Sequence, residues 1–134
     1  MQTDHFHLYR RARHILRESE RVERFCELSQ TPSSSTEELG QLLVESHNSC
    51  QGDYDCTHEQ TDLLQSICMR LGAIGSRQTG GGWGGAVISL VHIEQAAEFL
   101  AALKAEYAPY QKLDAAELGN NAFITRPGVG AGGE

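Results

Sequence analysis

An α+β fold, with helices packed on one face of a small antiparallel sheet, is what this 134-residue sequence predicts. Residues 5–71 carry apolar side chains at three- and four-residue steps, broken by a Pro/Ser cluster and a Gly/Asp loop. Two strand-like runs then flank a cluster of glycines, and a further helix and a short strand follow. The order is helices first, then strand, strand, helix, strand, and it places the helices together over the sheet.

The first helix is expected over residues 5–28, with Leu8, Ala12, Ile15, Leu16, Ser19, Val22, Phe25 and Cys26 on its apolar face. "SQTPSSS" (29–35) is a breaker, dividing residues 1–34, a helix and linker, from a domain over 35–134. Ser35 with Glu38 reads as a capping box for a second helix to about Ser49, which buries Leu39, Leu42 and Leu43. "CQGDYDC" (50–56) reads as a loop. Thr57 with Gln60 reads as the next capping box. The third helix buries Leu63, Leu64, Ile67, Cys68 and Leu71 and ends at Gly72 as a left-handed cap.

Residues 73–79 read as a short strand, and "AVISLVHI" (86–93) as one buried on both faces. Glu94–Tyr107 reads as a fourth helix with Ala97, Leu100, Ala101 and Leu103 inward and Pro109 past its end. "KLDAAELGN" is a polar connection with room for one helical turn. Asn121–Arg126 reads as a last strand, and the glycine-rich tail as frayed.

Composition excludes several classes. The net charge of -7 argues against a nucleic-acid partner. No apolar run reaches the ~18 residues of a membrane span, and the first residues lack a signal-peptide core, so the expected location is cytoplasmic. Cys26, Cys50, Cys56 and Cys68 read as free thiols.

The glycine cluster is the chemical feature. Gly80, Gly82 and Gly85 satisfy G-x-G-x-x-G, but a strand follows where the dinucleotide fingerprint needs a helix. The protein-kinase loop has the right strand context, yet its partner motifs are absent, and there is no Gly-Lys-Ser/Thr of a Walker loop. Two readings stay open: a tight hairpin with no ligand, and a loop whose backbone N–H groups approach an anion. Trp83 favours a site if it covers a ligand, and is neutral if it is a core anchor. Ser76, Arg77 and Thr79 lie beside the loop, where Arg77 meets either a phosphate or an acidic neighbour.

His47, Cys50, Cys56 and His58 fit no standard zinc spacing, and the acids around Asp53, Asp55, Glu59 and Asp62 are not spaced as an EF-hand; no metal site is expected. No nucleophile, base and orienting group stand together, so no catalytic residue is assigned.

"RRARHIL" (10–16), "LLVESHNSC" (42–50), "DYDCTHEQTDLL" (53–64), "GAIGSRQTGGGWGGAVISLV" (72–91) and "ITRPGVGA" (124–131) together resemble the C-terminal part of galactokinases. These belong to the galacto-, homoserine, mevalonate and phosphomevalonate kinases. Trp83 and "YDC" are closer to eukaryotic galactokinases and N-acetylgalactosamine kinases. The resemblance implies a ferredoxin-like C-terminal domain and transfer of the ATP γ-phosphoryl group, with Mg²⁺, to the anomeric hydroxyl of galactose or N-acetylgalactosamine.

It also implies an ATP-binding role for Thr79, Gly80, Gly81, Gly82, Trp83, Gly84 and Gly85, with Ser76 and Arg77 beside them. The partner it implies is an N-terminal kinase domain, whose sugar signature, phosphate loop and catalytic Asp are not among these motifs. The isolated chain is therefore expected to be inactive, with weak or no ATP binding. The alternative is a non-catalytic sensor or interaction module acting in transcription. The sequence departs from the family at "THEQTD" (57–62) for "SCPELD", at Gln78 for Met or Leu, at Ala86 for Cys and at Val129 for Gly.

Overall fold

The computed structural model describes residues 7–31 and 35–126. Its elements are α1 (Leu8–Gln30), α2 (Thr36–Ser49), a π-helical turn (Cys50–Tyr54), α3 (Glu59–Arg70), β1 (Gly75–Thr79) and β2 (Ala86–Leu90). A 3₁₀ turn (Ile93–Gln95), α4 (Ala96–Glu106), α5 (Ala108–Gln111) and α6 (Ala115–Asn121) complete them. The fold is α+β: a long first helix, then helices against one antiparallel hairpin in which Gly75 faces Leu90 and Thr79 faces Ala86. Of the ferredoxin-like sheet, the described residues hold these two strands. Among them no helix is long and apolar enough to cross a membrane. All four cysteines are free thiols. The end of the Pro/Ser breaker at Pro32–Ser34 and the tail from Pro127 lie outside the described residues.

Local chemistry sets the boundaries. Ser35 caps α2, its Oγ accepting from the Glu37 N–H at 3.1 Å. α3 starts one residue later than Thr57 suggests. His58 is the cap, its Nδ1 accepting from the Gln60 N–H, while Thr61 Oγ1 accepts from the His58 N–H. Thr57 instead donates to Asp62. The expected loop at Cys50–Cys56 is helical for most of its length: α2 widens into the π turn, which closes with Asp55 at φ 52° and the Cys56 N–H donating to Cys50 O.

Two further expectations are corrected. Asn121–Arg126 forms no strand. A reciprocal Asp114–Glu117 capping box carries helix α6 to Asn121, and the next residues have no ladder partner. β2 is not buried on both faces: none of its residues is buried, and Ile88 is 46% exposed. In α4 the inward residues are Ala96 and Leu103, and Ala97 and Ala101 face out. The apolar core is Ile67, Cys68, Ala73, Leu103 and Tyr107, joining α3 to α4 and α5.

α1 is oriented the other way round from its periodicity. Its inner face carries Arg11, His14, Glu18, Arg21, Phe25 and Leu28, and Leu8, Ile15, Leu16 and Val22 are on the outside. The inner face is satisfied by polar partners. Arg11 donates to Asp53 O at 2.5 Å and pairs with Asp55 at 2.8 Å. His14 Nδ1 meets Ser49 Oγ at 2.9 Å, and Glu18 accepts from Ser46 and Arg77.

α2 crosses β1 backbone on backbone. A Cβ added at Gly40 would collide with Ile74 O, and one at Gly75 with the backbone of Gly40. Overpacking of this kind costs about 1–3 kcal/mol. Gly40→Ala and Gly75→Ala should therefore lower the urea midpoint strongly, whereas Gly52→Ala, with open space around it, should change it little. Equal effects at all three positions would refute the crossing.

Candidate functional site

The glycine loop is the turn of the β1–β2 hairpin. Gly80, Gly82, Gly84 and Gly85 have φ of 106°, 88°, 131° and 97°. Trp83 joins them at 52°, a conformation uncommon for a residue with a Cβ. A Cβ at Gly85 would lie 2.9 Å from Thr79 O, so the loop's base also needs glycine. Backbone of this kind, bare of side chains at the glycines, lets N–H groups come close to an anion. Trp83 is 66% exposed and is not a core anchor.

The loop is pinned from below. The Trp83 N–H donates to Cys56 O at 2.6 Å, and Gln78 Nε2 donates to the same oxygen at 2.9 Å. The Gln78 N–H donates to His47 Nδ1 at 3.1 Å, so that imidazole carries its proton on Nε2, 3.2 Å from Asp62 Oδ1. Thr61 donates to Gln78 Oε1. Burial holds the His47 pKa below its usual value against the pull of Asp62. Burial, with Cys56 alongside, pushes the Cys50 thiol up to about 11, so it stays protonated at neutral pH.

Ser76 and Arg77 sit beneath this loop. Ser76 is fully buried and bonded to Ser89, and Arg77 bonds Glu18 at 3.1 Å and Gln78 O at 2.9 Å. For Arg77 the acidic neighbour is the partner found. Burial acts to raise the Glu18 carboxyl, but Ser46, Arg21 and Arg77 outweigh it and hold it low.

His47 and His58 do not meet as metal ligands, since one supports β1 and the other caps α3. Among the described residues no group of three or more His, Cys, Asp or Glu could hold a metal ion. The sequence reading missed His47, Gln78, Thr61 and Asp62 as supports. The one sequence signal was that Thr61 and Gln78 both stand at positions that depart from the galactokinase resemblance.

Residues 23–109 match the C-terminal domain of the GHMP kinases. The chain belongs to that family. It is similar to the galactokinase of Dictyostelium discoideum, 38% identical over 98% of this chain and 30% of that protein. It is also similar to that of Saccharomyces cerevisiae, 36% identical over 92% and 25%. Among solved structures it resembles Lactococcus lactis galactokinase complexed with galactose, with a TM-score of 0.69 and 29% identity over 82% of this chain and 28% of that one. This GHMP domain thus spans about a third or less of the length of these relatives.

Thr61 and Gln78, both at positions where the sequence departs from the galactokinase resemblance, are buried. The two side chains meet in a buried hydrogen bond. Gln78→Met or Thr61→Leu alone leaves a buried polar partner unsatisfied, at about 1–3 kcal/mol. The double variant should cost less than the sum of the singles by about 1 kcal/mol or more, measured by urea denaturation. Simple additivity would show that the pair is not coupled.

His47 and His14 are both held below their usual pKa, burial being the largest cause for each. The unfolded chain therefore binds protons first as pH falls through about 6.5. Stability should be full above that pH and decline as pH falls below it toward 5.5, with a shallower decline in His47→Asn. A flat profile would show that the histidines are not held neutral.

Proposed function

We propose that this domain supplies the glycine loop of a galactokinase-like sugar kinase. The reaction is transfer of the γ-phosphoryl group of ATP, with Mg²⁺, to the anomeric hydroxyl of galactose or N-acetylgalactosamine. The observation that carries the reading is the positive-φ backbone at Gly80, Gly82, Trp83, Gly84 and Gly85, held at Trp83 and Gln78 by the one Cys56 carbonyl. Thr79 and Gly80–Gly85 face the phosphates, and Trp83 packs over the bound nucleotide or the opposing lobe. Ser76 and Arg77 act from beneath, by holding β1 to β2 and to α1.

The residues present fit a triphosphate: no side chains crowd the glycines, and N–H donors of this kind stabilise negative charge at no reorganisation cost. ATP with Mg²⁺ supplies the phosphoryl group and screens its charge. This chain's residues orient the phosphates and exclude water. The base and the opposing phosphate loop belong to the remaining two-thirds of the kinase, because phosphoryl transfer needs all of them at once.

A coupled ATP/galactose assay tests this. The chain alone should show no turnover above background. A joined protein, in which this chain replaces the matched 30% of the Dictyostelium discoideum galactokinase, should turn over. Gly84→Val in it should lower kcat/KM by about 10²-fold or more. Turnover by the chain alone, or an unaffected Gly84→Val protein, would overturn the reading.

A further inference from the structure

We infer that the outer face of α1 is the surface on which the remaining two-thirds of the kinase docks. The inference rests on the kinase reading above. It starts from the inverted helix. Leu8, Ile15, Leu16 and Val22 are 72%, 54%, 67% and 56% exposed, while the inner face of the same helix is spent on ions and hydrogen bonds. An apolar stripe on the solvent side of a helix whose polar stripe faces the domain is the reverse of what water alone would select. Large apolar patches of this kind mark interaction surfaces. The spacing of Leu8, Ile15 and Val22, seven residues apart, keeps the stripe on one side for about four turns.

Two observations identify the occupant. The relatives are between three and four times as long as this chain, so most of a galactokinase polypeptide has to find a seat somewhere on this domain. The stripe also leads to the loop. At Val22 it meets a groove of about 270 Å³ whose apolar lining is Phe25, Leu42, Leu43 and Ile88, with Glu18, Arg21 and Arg77 also in its wall and Thr79 among its lining residues. A body seated along α1 and in that groove reaches the first residue of the glycine loop. The part of the kinase that must face the loop is the part that brings the opposing phosphate loop. A second copy of this chain has no such reason to end there.

Cys26 lines the same groove and is the exposed thiol of the four, the other three being buried. It is a built-in probe. Maleimide labelling of Cys26, and of Leu16→Cys in a Cys26→Ser background, should be fast in the isolated chain at every protein concentration. It should slow at least tenfold in the joined protein described above. Ile15→Glu/Leu16→Glu should leave the melting temperature of the isolated chain unchanged and lower the activity of the joined protein at least tenfold.

Fast labelling of both positions in the joined protein, with or without turnover, overturns the inference. So does protection that grows with concentration in the isolated chain together with a dimeric mass by light scattering, which would assign the face to a second copy. Protection without turnover would leave the interface standing and sink the kinase reading instead.

Discussion

The crossing of Gly40 over Gly75 is the constraint on which the rest of the structure depends. No side chain separates α2 from β1 there, so the helix lies at backbone distance from the strand. From that contact, two helical turns onward along α2, His47 falls opposite the Gln78 N–H, and Ser46 falls opposite Glu18. A larger residue at either glycine would lift α2 away and break both contacts together.

Everything that shapes the glycine loop hangs from this seam. His47 takes a backbone donor of β1 that the hairpin does not use, and its other nitrogen rests on Asp62 of α3. Thr61, one residue before Asp62, holds the Gln78 side chain. Gln78 and Trp83 share the Cys56 carbonyl. The loop is therefore held by three elements that are distant in sequence, and an entropy-rich run of glycines acquires one conformation. Preorganised donors are worth more to a phosphoryl-transfer site than donors that must be ordered by the substrate.

The second consequence concerns α1. Its charged face is held by Asp53 of the π turn and Asp55 just after it, by Ser49, and by Arg77 through Glu18. These groups are anchored by α2 and β1, so the seam also dictates which side of α1 turns inward. The apolar side is left facing out because the described residues offer it little apolar cover. Leu42 and Leu43 of α2 and Ile88 of β2, none of them buried, line the groove beside that helix.

Local signals were legible in the sequence. The helix starts at Ser35 and the stop at Gly72, the two strands, and the glycine turn with its family resemblance follow from side-chain chemistry within a few residues of each position. The α+β class followed from their order. Periodicity located the helix α1, but not the side that faces inward: an amphipathic pattern shows that a face is apolar without naming what covers it. The strand expected at 121–126 failed for a related reason, since a strand exists only with a neighbour to pair with. The roles of His47, Gln78, Thr61 and Asp62 were invisible because each depends on a residue 15 or more positions away. Sequence alone determined the segments and the chemistry of the loop. Only the tertiary structure decided its supports and which surfaces stay open, because those are settled by contacts that α2 makes in crossing β1.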